Sequence, residues 1–93
     1  MAKFVVEWVF ATNVEERLAV RPAHREWVSA QSKQGVILAA GPWHNDTGAL
    51  LVFDVADREE LAKVLAEDPY ASADVIAETR VREWNVVNGS WTL

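Results

Sequence analysis

The chain has 93 residues, a formal net charge of -5 and no cysteine, and its length predicts one domain over residues 1–93. The acidic charge argues against nucleic acid and anionic membrane surfaces as partners, because both are bound through clustered Lys and Arg. The absence of cysteine excludes disulfide bonds, a thiolate nucleophile and zinc sites built on cysteine.

The amino-terminal segment predicts a strand rather than a targeting signal. Lys3 and Glu7 interrupt the apolar residues, so no secretion signal forms there, and no later apolar run is long enough to cross a bilayer. We therefore expect a cytoplasmic protein. The alternation predicts one buried face, made by Phe4, Val6, Trp8 and Phe10.

A helical segment is predicted over residues 12–34. Thr12 and Asn13 are candidate N-caps, and each has a glutamate three residues on as a capping-box partner. Pro22 lacks an N–H and disfavours helical geometry before it, so we expect the helix to break or restart there. Gly35 supplies the stop.

One histidine occupies an unusual position on this helix. At about 100° per residue, His24 shares a face with the apolar residues Val20, Trp27 and Val28. An imidazole that replaces an apolar side chain is either paired in the core or lines a pocket.

Two short apolar runs predict a β-hairpin in the middle of the chain. Residues 36–40 form the first run, which Gly41 and Pro42 end, and residues 49–53 form the second. The polar segment between them, residues 43–47, has the composition of a turn.

A second helix is predicted after the hairpin, with Asp57 as its N-cap and Asp68-Pro69 as its end. Residues 75–84 then read as a last strand. The Asn88-Gly89 pair favours a small hairpin or an extension in residues 85–93. The second helix should bury Leu61, Val64 and Leu65.

The element order βαββαβ predicts an α+β fold, the ferredoxin-like sandwich with an antiparallel sheet and both helices on one face. The other face would be left apolar and uncovered, because the central hairpin is apolar on both sides. A second copy of the chain is the simplest cover, so we expect a homodimer.

Four segments resemble the YciI-like (YCII-related) family in their order and spacing. They are residues 17–24 (RLAVRPAH), 40–42 (AGP), 68–70 (DPY) and 81–87 (VREWNVV). The resemblance covers nearly the whole chain. It implies the dimeric α+β barrel fold and a His and Asp dyad at a pocket, which maps onto His24 and Asp68. It also implies relatedness to a dehydrochlorinase of a chlorinated hydroxyhydroquinone, although most members have no known substrate.

The dyad suits general acid/base chemistry. A carboxylate beside an imidazole fixes its tautomer and raises its basicity, so His24 would carry the proton and Asp68 would orient it. The alternative is a structural pair, with Asp68 ending a helix and satisfying a core histidine. Arg21 lies one turn from His24 and is the candidate for binding an anion, whereas Arg17 and Arg25 are expected on a solvated flank.

The expected substrate-binding residues are Arg21, Gly41, Pro42, Tyr70 and Ser72. For Tyr70, as for Trp27 and Trp43, the alternative is a place in the core or in a dimer interface, and for Ser72 it is a turn. No metal is expected, because the two histidines and Asp68 lack tight ligand spacing. No cofactor is expected, because no nucleotide fingerprint occurs.

These observations favour a small cofactor-independent enzyme of the lyase or isomerase type, acting on a small anionic or phenolic ring compound. The alternative is a non-catalytic dimer that binds a small ligand or serves as an accessory protein, in which the same dyad serves packing. The sequence does not decide between them.

Overall fold

The computed structural model describes residues 1–92 and contains four strands and three helices. The sheet is antiparallel throughout, with strand order β2-β3-β1-β4. This confirms the α+β, ferredoxin-like arrangement and adds a short third helix. The elements are β1 (Ala2–Phe10), α1 (Val14–Lys33), β2 (Ile37–Pro42), β3 (Gly48–Val55), α2 (Arg58–Ala66), α3 (Pro69–Ser72) and β4 (Ile76–Trp84).

The hydrophobic core lies between the helices and one face of the sheet. The alternation in β1 places Phe4, Val6 and Trp8 in this core, each no more than 2% exposed. The predicted cap of α2 is confirmed, because Asp57 Oδ1 accepts a hydrogen bond from the N–H of Glu60 at 2.9 Å. The rest of the core is Ile37, Ala49, Leu51, Phe53, Val55, Leu61, Val64, Tyr70 and Val75.

Helix α1 differs from the prediction at two points. It runs through Pro22 as one helix, so the expected break is wrong. The proline removes a single N–H donor, and α1 nevertheless continues and packs against α3 and β2. The predicted capping box is also absent, because the Asn13 side chain donates to the Glu16 carboxylate instead of accepting a helix N–H. Gly35, with φ of 77°, follows the helix as predicted.

The face of the sheet that carries no helix is partly covered by the chain itself. No strand follows Trp84 in the described part of the chain, so the hairpin alternative is wrong and the extension is what forms. Trp91 returns over the sheet and packs edge-on against Trp84, with ring centroids 6.2 Å apart. A cavity of about 740 Å³ remains on this open face, lined in part by Val5, Leu50 and Val52.

Gly48 fixes the end of the central hairpin. A Cβ atom there would overlap the carbonyl oxygen of Trp8 and press on the indole of Trp43. The absence of a side chain therefore lets β3 start close beside β1, with the Trp43 ring against it. No helix within residues 1–92 is both long and apolar enough to cross a membrane.

Candidate functional site

The two residues of the predicted dyad are in contact. The Nδ1 atom of His24, in the middle of α1, lies 2.8 Å from Oδ1 of Asp68. The Asp68 side chain is 1% exposed and the His24 side chain is 12% exposed. The carboxylate is therefore sealed from solvent, while the imidazole retains a small accessible area.

Asp68 is held by the start of α3. It is the N-cap of this short helix, and its Oδ1 also accepts a hydrogen bond from the N–H of Tyr70 at 3.0 Å. Pro69 occupies the first turn, where a missing N–H costs nothing. The other carboxylate oxygen, Oδ2, is buried and has no partner among residues 1–92. Two donors on one oxygen fix the carboxylate toward His24.

This contact determines which imidazole nitrogen is available for chemistry. An ionised carboxylate only accepts hydrogen bonds, so Nδ1 of His24 carries the proton that is donated to Asp68. The lone pair of the neutral ring then lies on Nε2. The arrangement can accept a proton at Nε2 and stabilise the resulting imidazolium through Asp68.

Tyr70 fixes the plane of the imidazole. Its ring stacks on that of His24, with centroids 3.8 Å apart and an interplanar angle of 3°. Trp8 and Trp27 flank the histidine with centroids 5.7 and 6.0 Å away. The histidine therefore cannot rotate freely, because aromatic rings and a carboxylate constrain it together.

A cavity of about 130 Å³ opens beside the dyad. Of the residues predicted to bind substrate, Arg21, Gly41, Pro42 and Tyr70 line it together with His24. Ser72 lies outside this lining, because its exposed hydroxyl donates to the Pro69 carbonyl at 3.2 Å and completes the turn of α3. The remaining lining residues are Trp8, Phe10, Arg17, Arg25, Val28, Ala40, Asp46, Ala49 and Leu51.

Arg17 lines the cavity, although the sequence analysis did not predict it there. It is 3% exposed, so its expected place on a solvated flank is wrong. Its Nη2 lies 3.2 Å from a carboxylate oxygen of Asp46, in the turn between β2 and β3. The helical phase contained the signal, because Arg17 and His24 are seven residues apart and therefore share a face.

The electrostatics around Tyr70 combine burial with three cations. Burial raises the pKa of the Tyr70 phenol above its usual value, and Arg17, Arg21 and Arg25 act in the opposite direction. The phenol is therefore neutral and able to donate a hydrogen bond at neutral pH. The same three guanidinium groups line the cavity and make it electropositive in an acidic chain.

No cluster of three or more potential metal-binding side chains occurs in the part of the chain that the structure describes. The site consists of one acid/base pair, aromatic walls and arginines. Such a set can bind a small anion and move a proton on it.

Comparison with known proteins places these features in context. The model of the YCII-related domain matches residues 2–85. No curated protein matches the chain. Among solved structures, 5-chloro-2-hydroxyhydroquinone dehydrochlorinase from Burkholderia phenoliruptrix AC1100, in complex with 2,5-dihydroxybenzoquinone, is similar with a TM-score of 0.79 and 20% identity over 89% of this chain and 93% of that chain.

Two further structures share the fold. An antibiotic biosynthesis monooxygenase is 18% identical with a TM-score of 0.62, over 95% of this chain and 100% of that chain. A putative antibiotic biosynthesis monooxygenase from Bacteroides thetaiotaomicron is 11% identical with a TM-score of 0.64, over 99% of this chain and 94% of that chain. At these identities the likeness concerns the fold alone.

Proposed function

The chain belongs to the YCII-related family, and from this membership and the site geometry we propose that it is a small cofactor-independent enzyme of the lyase or isomerase type. Its substrate is a small anionic or phenolic ring compound on which it moves a proton. The observation that carries the proposal is the 2.8 Å contact between His24 and Asp68 at the wall of a cavity.

In the proposed mechanism, Nε2 of His24 removes a proton from a hydroxyl group or a carbon of the bound ring. Asp68 stabilises the imidazolium that forms, and Tyr70 holds its plane. In an isomerisation, the imidazolium returns the proton to another atom of the ring. In an elimination, the leaving group departs with its electron pair and the imidazolium releases the proton to water.

The size and the walls of the cavity support a single-ring substrate. A cavity of about 130 Å³ is close in volume to the roughly 150 Å³ apolar cavity that holds one benzene molecule. Arg21 lines the cavity together with His24 and supplies a positive charge, and Gly41 and Pro42 also line it. The similar dehydrochlorinase was solved with 2,5-dihydroxybenzoquinone, which agrees with a ring of this size.

The test measures turnover across a panel of chlorinated hydroxyhydroquinones, catechols and small lactones. His24→Gln should lower kcat/KM by about 10²–10⁴-fold on any compound that turns over, and Asp68→Asn should lower it less. His44 provides the matched control, because it is the other histidine of the chain and lies exposed in the turn between β2 and β3. Turnover by His24→Gln within about threefold of the unaltered protein would refute the proposed role of the dyad.

A non-catalytic ligand-binding protein is the second candidate. One observation favours it, namely that Asp68 is engaged as the N-cap of α3 and so has a structural task as well. In that case cavity ligands bind, no compound of the panel turns over, and His24→Gln changes stability and affinity alone.

We also propose that the protein forms a homodimer through the open face of the sheet. Apolar side chains of the central strands, among them Val5 and Leu50, line the cavity that the carboxyl-terminal segment leaves uncovered there. Leu50→Arg should convert the dimer to a monomer in sedimentation velocity, since a buried charge in an apolar interface is costly. Val87→Arg is the control, because Val87 is 83% exposed on the terminal segment. A monomeric unaltered protein at micromolar concentration would refute the dimer.

A further inference from the structure

Arg17 is buried more deeply than the other two arginines of the cavity. It is 3% exposed, whereas Arg21 is half-buried and Arg25 is exposed. The guanidinium lies over the ring of Phe10, with Cζ 4.2 Å from the ring centroid. A charged group at this depth needs an explanation, because transfer of a cation out of water is costly.

Two oxygen atoms of Asp46 hold the guanidinium of Arg17 in one orientation. Nη2 donates to the carboxylate of Asp46 at 3.2 Å and lies 3.5 Å from its backbone carbonyl. Asp46 has a φ of 59° in the turn between β2 and β3, a conformation that Asp and Asn tolerate better than most residues. The turn therefore holds Arg17 at the wall of the cavity.

Stability alone does not account for this arrangement. The Asp46 side chain is 44% exposed, so solvent weakens the ion pair. The Nε–H of Arg17 is buried and has no acceptor within residues 1–92. A buried donor without a partner destabilises the fold, and an apolar side chain would fill the same space without that cost. A role in binding a ligand inside the cavity, which Arg17 lines, would account for this arrangement.

We propose that Arg17 is a specificity-determining residue that binds an ionised hydroxyl or carboxylate of a single-ring substrate, and that Asp46 positions it and offsets part of its charge. This inference rests on the function proposed above and assigns the charge state of the substrate. Arg17 and His24 are two helical turns apart on the same face of α1, so an anionic group at Arg17 leaves another part of the ring beside the imidazole.

The same three arginines act on the hydroxyl of Tyr70. Arg17, Arg21 and Arg25 each favour its ionised form, although burial outweighs them and raises its pKa. A substrate hydroxyl in the cavity would meet the same three charges, which favour its anion against the cost of burial. The cavity should thus prefer phenolates and carboxylates over neutral rings of equal size.

The probe for this proposal is 4-nitrophenol, whose ionised form is read from its visible absorption. The unaltered protein should bind the phenolate more tightly than the phenol and lower the apparent pKa of the bound compound. Arg17→Gln should weaken phenolate binding about tenfold or more, because a hydrogen bond to a charged donor is lost. Arg58→Gln is the matched control, since Arg58 also lies over a phenylalanine ring, that of Phe4, but outside the cavity.

Asp46→Asn distinguishes binding from packing. Asparagine keeps the turn, and the backbone carbonyl still accepts from Arg17, while a negative charge near the ligand disappears. Phenolate affinity should therefore rise by roughly two- to fivefold. A purely structural ion pair would instead weaken binding in both variants. If Arg17→Gln does not fold, Arg17→Lys replaces it. Arg17→Lys should show a smaller loss of phenolate affinity, because lysine keeps the positive charge but lacks the paired N–H donors of the guanidinium.

Three results would overturn the proposal. They are no saturable binding of either 4-nitrophenolate or benzoate, an affinity in the Arg17 variant within twofold of the unaltered protein, and a loss of affinity in Asp46→Asn. Because the readout is binding, it is separate from turnover. If binding depends on Arg17 but no compound turns over, the proposed catalysis is refuted and this inference stands. If turnover depends on His24 but binding does not depend on Arg17, this inference is refuted and the proposed catalysis stands.

Discussion

Replacing Asp68 by asparagine perturbs one contact of the site while sparing its neighbours. Asparagine is as good an N-cap as aspartate, so the hydrogen bond from the N–H of Tyr70 to Oδ1 is retained. The change falls on the 2.8 Å contact with His24, where an ionised acceptor becomes a neutral one. It therefore measures the charge of the dyad apart from the fold of α3.

The expected cost follows from burial. Asp68 is 1% exposed, so its bond to the imidazole is not screened. A hydrogen bond to a charged group contributes about 1.5–3 kcal/mol and one between neutral groups about 0.5–1.5 kcal/mol, so the change should cost about 1–1.5 kcal/mol. For a domain of this size, each kcal/mol lowers Tm by roughly 4–8 °C. We expect Asp68→Asn to lower Tm by about 4–12 °C and to leave the protein folded at room temperature, since small domains have about 5–15 kcal/mol of stability.

The assay is a double-mutant cycle by chemical denaturation at neutral pH. The four proteins are the unaltered chain, Asp68→Asn, His24→Gln and the double variant. Because the two side chains are in contact, their effects should be non-additive by about 1 kcal/mol or more. Asp68→Ala should be less stable than Asp68→Asn, because it also removes the cap. Additivity within about 0.3 kcal/mol would show that the contact contributes nothing and would refute the reasoning.

Three further predictions concern other parts of the molecule. Because burial raises the pKa of Tyr70, its contribution to stability is complete below about pH 10 and is lost as the pH rises through the folded-state pKa, so Tyr70→Phe should flatten the fall of Tm in alkaline solution. Gly48→Ala should cost about 1–3 kcal/mol, because its Cβ overlaps the Trp8 carbonyl, whereas Gly41→Ala, with nothing within 4 Å, should be near neutral in denaturation. Pro22→Ala should raise the free energy of unfolding by roughly 2 kcal/mol, since it restores a helix donor, and an unchanged value would mean that α1 is adapted to the proline.

The sequence predicted those parts of the fold that depend on local periodicity. Residues 3–10 alternate with a period of two, and the structure has β1 there with the expected buried face. Asp57 caps the start of α2 and Gly35 follows the end of α1, as predicted, because both residue types act through local backbone geometry. The family resemblance, carried by four short segments, is confirmed over residues 2–85.

The sequence-based predictions were wrong or incomplete where the structure depends on contacts between distant parts of the chain. The burial of Arg17 depends on Asp46, 29 residues later, and no local pattern around Arg17 contains that partner. The helix through Pro22 is stabilised by packing against α3 and β2, which local propensity does not describe. The helix α3 has only four residues, too few for any periodic signal.

The placement of the tryptophans gives the protein two separate optical reporters. Trp8 and Trp27 have ring centroids about 6 Å from that of His24, on the helix side of the sheet. Trp84 and Trp91 pack against each other on the opposite face. A ligand bound beside His24 changes the surroundings of the first pair, while a change in solvent exposure at the sheet surface shifts the emission of the second and of Trp43, which also lines the open face. Intrinsic fluorescence can therefore report on filling of the cavity and on covering of the sheet in one unlabelled sample.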